Sequence, residues 1–340
     1  MSATDDKKER KLKTMNRNKI KVILKKYPVI LRHLQFFYSI VKHKERLMQK
    51  KSYGDLNGDK TIFVIRPNAE DGVQGLMSLF IQTIRWIDYA KKKNYVPYVD
   101  FKNYKTQYFD GENNIWEYYF TQPSKLEYDE VYASRNVILS GVTWSENVND
   151  DLLREEIFFS KKLCKYCTEL IWDNIKLNNE VKEIVARENY FIKAENCLGL
   201  YLRGTDYIKM KPTGEYIQPD IEDVINKVDV FIEKHPQINI FLVTEDGTYY
   251  SRLKTLYGDR IKIVSFDTFI NNYDGKNFLS KSGVLETNKK KRGMDYLVKL
   301  ILLSKCKYLI SSITMGSIAA YSLNGGIYED EYIFDLGYYK

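Results

Sequence analysis

No stretch of this chain approaches the ~18 consecutive apolar residues that a membrane-spanning helix needs, and its polar first residues show no signal-peptide pattern. Cysteine is scarce, and 4 among 340 residues do not make a disulfide framework in a chain of this size. Cys164 and Cys167 form a CxxC, but no second pair stands at zinc spacing and the flanking pattern is helical. These two thiols, like Cys197 and Cys306 beside expected strands, are therefore read as core residues. The expected setting is reducing and cytoplasmic, with no metal centre. No GxGxxG follows the early strand, which argues against a dehydrogenase. Outside one segment there is no basic face or reader motif, so nucleic acid is not an expected partner.

The missing basic face makes the charge distribution informative. Residues 1–51 hold 16 Lys and Arg against 4 Asp and Glu, a net of +12, whereas the rest hold 37 against 41, a net of −4. Within this extension, apolar residues from Ile20 to Val41 recur at three- and four-residue steps, interrupted near Pro28. A basic amphipathic segment of this kind suits an anionic membrane surface, and equally suits packing on protein with its lysines solvated.

Beyond the extension, the turn-rich stretch 51–60 reads as a linker. A strand is expected at Thr61–Arg66, then a loop, a helix over 73–93 and a second strand at Val96–Asp100. Asp71, Gly72, Gln74 and Gly75 stand at that helix's start, a place for an anion or a sugar hydroxyl, or an ordinary capped turn. Residues 101–150 read as loops and short elements on the acceptor side, and 151–192 as helices bridging two domains. From Cys197 the pattern alternates regularly, with strands at 198–203, 238–244, 261–265, 308–310 and 332–334 separated by helices. This predicts a parallel, doubly wound α/β sheet.

Three of these strands end on polar clusters. LGLYLRGTDY closes on Arg203, Gly204, Thr205 and Asp206; INIFLVT closes on Thr244, Glu245 and Asp246; KYLISS closes on Ser311, Ser312, Thr314 and then Ser317. Parallel sheets bind ligands outside the carboxyl ends of their strands, and hydroxyls and N–H groups at a helix start suit phosphate. Arg203 can clamp a phosphate, Thr205 can donate to it, and Gly204 lets backbone N–H groups approach. The plainer reading of the first cluster is an Arg–Asp pair closing a loop. Asp295, expected to open the helix before KYLISS, adds a carboxylate at the same rim. Asp295 and Ser317 are also good helix N-terminal residues in their own right.

The combination resembles the fucosyltransferase superfamily of α-1,6-fucosyltransferases, nodulation fucosyltransferases and protein O-fucosyltransferases. Arg203, Thr205 and Asp206 match positions of its His-x-Arg-Arg-x-Asp motif, with Tyr201 for the His and Gly204 for the second Arg. Thr244, Glu245 and Asp246 are similar to its Thr-Asp-Asp, and Asp295 with Ser304, followed by the serine-rich turn, to its later motifs. The loop at Gly72 and Gly75 is similar in position to the Gly-rich loop of bacterial α-1,2-fucosyltransferases. The likeness runs over residues 61–335 and implies a GT-B fold: two Rossmann-like domains facing a cleft, here 52–192 and 193–340 behind a basic helical extension at 1–51. It implies metal-independent, inverting transfer from a nucleotide sugar, GDP-fucose, with no cofactor.

On that reading Arg203 stabilises the leaving diphosphate, with residues 312–317 in support. Asp246 or Asp295 reads guanine, and Asp71 or Glu215 is the general base. Lys211 reaches phosphate or is solvated. The acceptor is a glycan or lipid-linked, in polysaccharide biosynthesis, with the extension placing the enzyme peripherally at the membrane. The alternatives are another nucleotide sugar, or a catalytically silent nucleotide- or glycan-binding protein.

Overall fold

The computed structural model describes residues 37, 41, 47–67, 74–104, 106–141 and 152–340. Most of the basic amphipathic extension, together with Asp71 and Gly72, lies outside them. No helix among the described residues is long and apolar enough to cross a membrane.

A small sheet comes first. It comprises β1 (Gln49–Lys51), β2 (Ile62–Ile65), β3 (Val96–Val99) and β4 (Val137–Leu139), in the order β1-β4-β2-β3. Strand β2 is parallel to both neighbours, while β1 lies antiparallel on β4. Strand β2 reads IFVI and is buried on both faces, as a central parallel strand must be. Helix α1 (Leu76–Lys92) links β2 to β3; helix α2 (Tyr128–Val131) precedes β4. Strand β4 falls in the stretch expected to be loops, because three apolar residues are too short to display a period. Strand β1 falls at the end of the basic stretch. The expected linker is packed rather than free: Tyr53 and Leu56 donate their N–H groups to the carbonyls of Ser134 and Ala133.

Helices α3 (Lys161–Asn174) and α4 (Asn179–Ile192) then lead into the larger sheet. Its strands are β5 (Cys197–Tyr201), β6 (Asn239–Val243), β7 (Ile261–Lys262), β8 (Tyr308–Ser312) and β9 (Asp330–Phe334). All are parallel, in the order β7-β6-β5-β8-β9. The chain thus winds outward from β5 to one edge, then crosses back to β8 and winds to the other, the order of a doubly wound sheet. Between the strands lie α5 (Thr205–Met210), α6 (Ile221–Lys234), α7 (Gly247–Tyr257), α8 (Leu279–Ser282), α9 (Lys289–Leu303) and α10 (Met315–Asn324).

Both sheets bury apolar side chains on each face. Leu198, Leu200 and Leu202 point to α6 and α7, where they meet Val224, Val228 and Leu253. The opposite face joins one continuous core with α1, α3, α4, α9, α10 and the inner face of the small sheet. Helix α3 packs on both α1 and α10, and α1 packs on α10. The four cysteines are free and buried, and burial pushes the Cys167 thiol up to about 11 and that of Cys197 to about 12.

Candidate functional site

The loops leaving β5 and β8 depart to opposite faces of the sheet, α6 on one and α10 on the other, and so leave a crevice at their carboxyl ends. Arg203 stands at this point. Its Nη2 donates to Asp206 Oδ1 at 2.9 Å, its Nε lies 3.7 Å from Glu245 Oε1, and its guanidinium stacks on the Tyr207 ring. The side chain is 26% exposed, whereas Asp206 is 3% exposed. Burial works against the guanidinium charge, but Glu245 and Asp206 outweigh it and hold Arg203 firmly protonated.

The clusters after β5 and β6 are knitted together. The Gly204 N–H donates to Glu245 Oε1 at 3.0 Å, the Thr205 N–H to Asp246 Oδ2 at 3.0 Å, and the Thr205 hydroxyl to Glu245 Oε1 at 2.8 Å. Asp246 also caps α7, accepting from the N–H groups of Thr248 and Tyr249, and its own N–H donates to Thr244. Asp206 accepts in addition from the Leu279 N–H at 3.0 Å, which ties down the start of α8. Two backbone features make this possible. A Cβ on Gly204 would meet Asp246 Oδ2 at 2.5 Å, and Thr205 has φ +43°, a left-handed conformation that costs a non-glycine residue energy. The donors expected to face a ligand therefore face carboxylates. Asp246, expected to read a base, has both oxygens engaged by backbone N–H groups.

The edge after β8 is neutral. Thr314 caps α10 by accepting from the N–H groups of Gly316 and Ser317, and the Ser317 hydroxyl accepts from the Thr314 N–H at 2.9 Å. Ser311 gives its hydroxyl to the Ser312 carbonyl. Ser312 is different: its buried Oγ has no partner among the described residues. Gln218, missed by sequence reading, sits beside it. Its amide nitrogen donates to the carbonyls of Tyr216 and Ile313, so the orientation is fixed and its buried Oε1 has no partner among the described residues.

Aromatic side chains, also missed, build the wall between these edges and the first sheet. The hydroxyls of Tyr201 and Tyr296 meet at 3.1 Å, and Thr314 Oγ1 donates to Tyr201. A Cβ on Gly316 would lie 2.2 Å from the Tyr296 hydroxyl, so only glycine lets α10 approach this closely. Across the mouth, the Leu76 N–H at the start of α1 donates to the Tyr108 hydroxyl, next to Gly75, which holds the N-cap position. Tyr108 in turn lies under the guanidinium of Arg292, 5.2 Å from the ring centroid. The available signal was helical spacing, since Arg292 and Tyr296 stand four apart on α9.

The remaining candidates scatter. Helix α9 begins at Lys289 with Asn288 as its cap, so Asp295 lies in the second turn instead of opening the helix. It pairs with Lys291. Lys211 is exposed at the C-cap of α5 with φ +46°. Glu215 is half-buried and accepts from the Tyr207 hydroxyl at 3.1 Å, one ring away from Arg203. No group of three His, Cys, Asp or Glu side chains among the described residues is arranged to hold a metal ion. A small apolar cavity lined by Met77, Phe80, Trp172 and Leu323 is separate from the strand ends.

No family model matches the chain, and no curated protein sequence does. Among solved structures it is similar to NodZ α-1,6-fucosyltransferase soaked with GDP-fucose, at 15% identity and a TM-score of 0.44, over 77% of this chain and 92% of that one. It is similar to Arabidopsis thaliana FUT1 in complex with GDP, at 12% identity and 0.41, over 82% and 72%. It is also similar to apo POFUT1, at 7% identity and 0.44, over 82% and 99%.

Proposed function

We propose that this chain is a metal-independent, inverting glycosyltransferase, fucosyltransferase-like, that moves a sugar from a GDP-sugar to a glycan or lipid-linked acceptor in polysaccharide biosynthesis. The observation that carries this reading is the place of Arg203, a charged and partly exposed guanidinium at the point where the strand order reverses. A departing nucleoside diphosphate gains negative charge, and a guanidinium held in position by Asp206, Glu245 and Tyr207 offsets it without reorganisation. At the neighbouring end of β8, the Ser312 hydroxyl and the Gln218 carbonyl, unpaired among the described residues, supply neutral contacts. An inverting transfer also needs a base for the acceptor hydroxyl, and Glu215, reached from Arg203 through Tyr207, is our candidate, with Asp71 as its rival. In this reading 52–192 forms the acceptor side, 193–340 the donor side, and the basic extension adsorbs to an anionic membrane surface.

The test is to incubate the purified protein with a panel of GDP- and UDP-sugars, with and without a chelator, and to measure released nucleotide and thermal protection. Release from a GDP-sugar that survives chelation, with GDP protecting better than UDP, is the expected result. Better protection by UDP would transfer the reading to another nucleotide sugar. Binding without release or transfer would leave a silent nucleotide-binding protein.

A further inference from the structure

The crevice as built carries an electrostatic problem. Arg203 is shared between Asp206 and Glu245, and Asp246 stands on the next backbone N–H, so one cation faces three carboxylates. A nucleoside diphosphate entering there brings further negative charge and needs a cation that no carboxylate has already claimed.

Arg292 meets that description. Among the described residues its partners are neutral: Nη2 donates to the Gln107 carbonyl at 2.9 Å and the guanidinium lies over the Tyr108 ring. Its Nε is shielded from solvent and has no hydrogen-bond partner among the described residues. An unpaired guanidinium N–H in such a place is costly unless a ligand completes it, and a phosphate oxygen fits the planar fork best. The position is right as well. Tyr108 feels both guanidinia, and although burial raises its pKa, Arg292 and Arg203 each oppose that rise. One turn along α9, Tyr296 bonds Tyr201, whose hydroxyl accepts from Thr314 at the end of β8. Arg292 and Arg203 therefore both act on Tyr108, whose hydroxyl accepts from the Leu76 N–H at the start of α1.

We infer that Arg292 is a second anion-binding guanidinium, contacting a phosphate oxygen of a nucleoside diphosphate across Tyr108 from Arg203. This rests on the nucleotide-sugar reading and adds a residue that the strand-end motifs do not contain.

The experiment is calorimetric titration of the full chain with GDP and GMP, comparing wild type, Arg292→Gln and Arg292→Lys, with melting temperatures recorded for each. Arg292→Gln should lose about tenfold or more of its GDP affinity and little of its GMP affinity, the worth of one charge-assisted contact. Arg292→Lys should fall between them. A purely structural role predicts parallel losses for both nucleotides along with a lower melting temperature, and that outcome overturns the inference. If Arg292→Gln does not fold, the lysine variant decides: an unchanged GDP-to-GMP ratio overturns the inference there too. Wild type that binds no nucleotide would defeat the parent reading, whereas wild type that binds GDP with an unchanged ratio in both variants defeats only the role of Arg292.

Discussion

At the carboxyl ends of β5 and β6 the backbone and hydroxyl donors of residues 204 and 205 are met by carboxylates, whereas at the end of β8 the donors of residues 314–317 are met by hydroxyls. The first edge is acidic and spends its polar capacity on itself. The second is neutral, and beside it two buried polar atoms, on Ser312 and Gln218, have no partner among the described residues. Carboxylates accepting N–H bonds make stiff, charge-assisted joints. Such a joint can aim a guanidinium but offers an incoming anion nothing else. On the proposed function, this difference gives the acidic edge a positioning role and leaves contact with the ligand to Arg203, the neutral edge and the side chains of α9.

The sharpest way to break this division is Arg203→Ala. If the guanidinium stabilises the leaving group, turnover should fall by about 10²–10³-fold, the scale of removing one preorganised charge-stabilising contact. The same change leaves Asp206 buried without its cation, so a lower melting temperature should accompany it. Near-normal turnover in a folded variant would remove Arg203 from the chemistry. Next in size is Gly204→Ala. The new methyl would sit 2.5 Å from Asp246 Oδ2 and pry apart the two strand ends, which should cost about 1–3 kcal/mol in urea unfolding. A neutral result would show that the acidic edge is looser than its bonds imply. Thr314→Ala removes the cap of α10 and the bond its hydroxyl donates to Tyr201, and should cost about 1–2 kcal/mol, with Thr314→Ser recovering most of it.

The larger sheet was legible because its strands are five residues long or bounded by helices of clear period, and β5 and β6 end on unmistakable polar clusters. Strand β4 was not, since VIL carries no alternation, nor was the packing of 51–60, where turn residues look like a linker from sequence alone. The same limit applies to the site. Sequence order reveals which chemistry lies at a strand end but not whether donors face a ligand or carboxylates, so Gly204 and Thr205 read as open donors and are instead bonded to Glu245 and Asp246. Arg292 hid in a run of basic residues, because only its place over Tyr108 separates it from the lysines around it, which pair with Glu180, Asp295 and the Phe109 carbonyl. Asp295 shows the reverse failure, a plausible letter that the longer helix turns toward Lys291.

A carboxylate outside the crevice uses the same joint and gives the comparison its control. Glu188 on α4 is 2% exposed and accepts from the Ser265 N–H at 2.7 Å and its hydroxyl at 2.8 Å, holding the chain just beyond β7. Burial raises its pKa, but the two Ser265 bonds and Arg187 outweigh burial, so the carboxyl titrates below its ordinary value of 4.5. A depressed folded-state pKa means that the unfolded chain binds the proton first as pH falls. Its contribution is therefore complete above about pH 4.5 and fades as pH drops through the lower folded value. Glu188→Gln keeps the shape and one acceptor, so it should cost under about 1 kcal/mol at pH 7, the smallest effect of the four. Its stability, measured by urea unfolding from pH 7 to pH 3, should decline less steeply than that of wild type. Parallel curves would mean that carboxylate-to-backbone joints in this protein do not draw their strength from charge, and the stiffness ascribed to the acidic edge of the crevice would lose its physical basis.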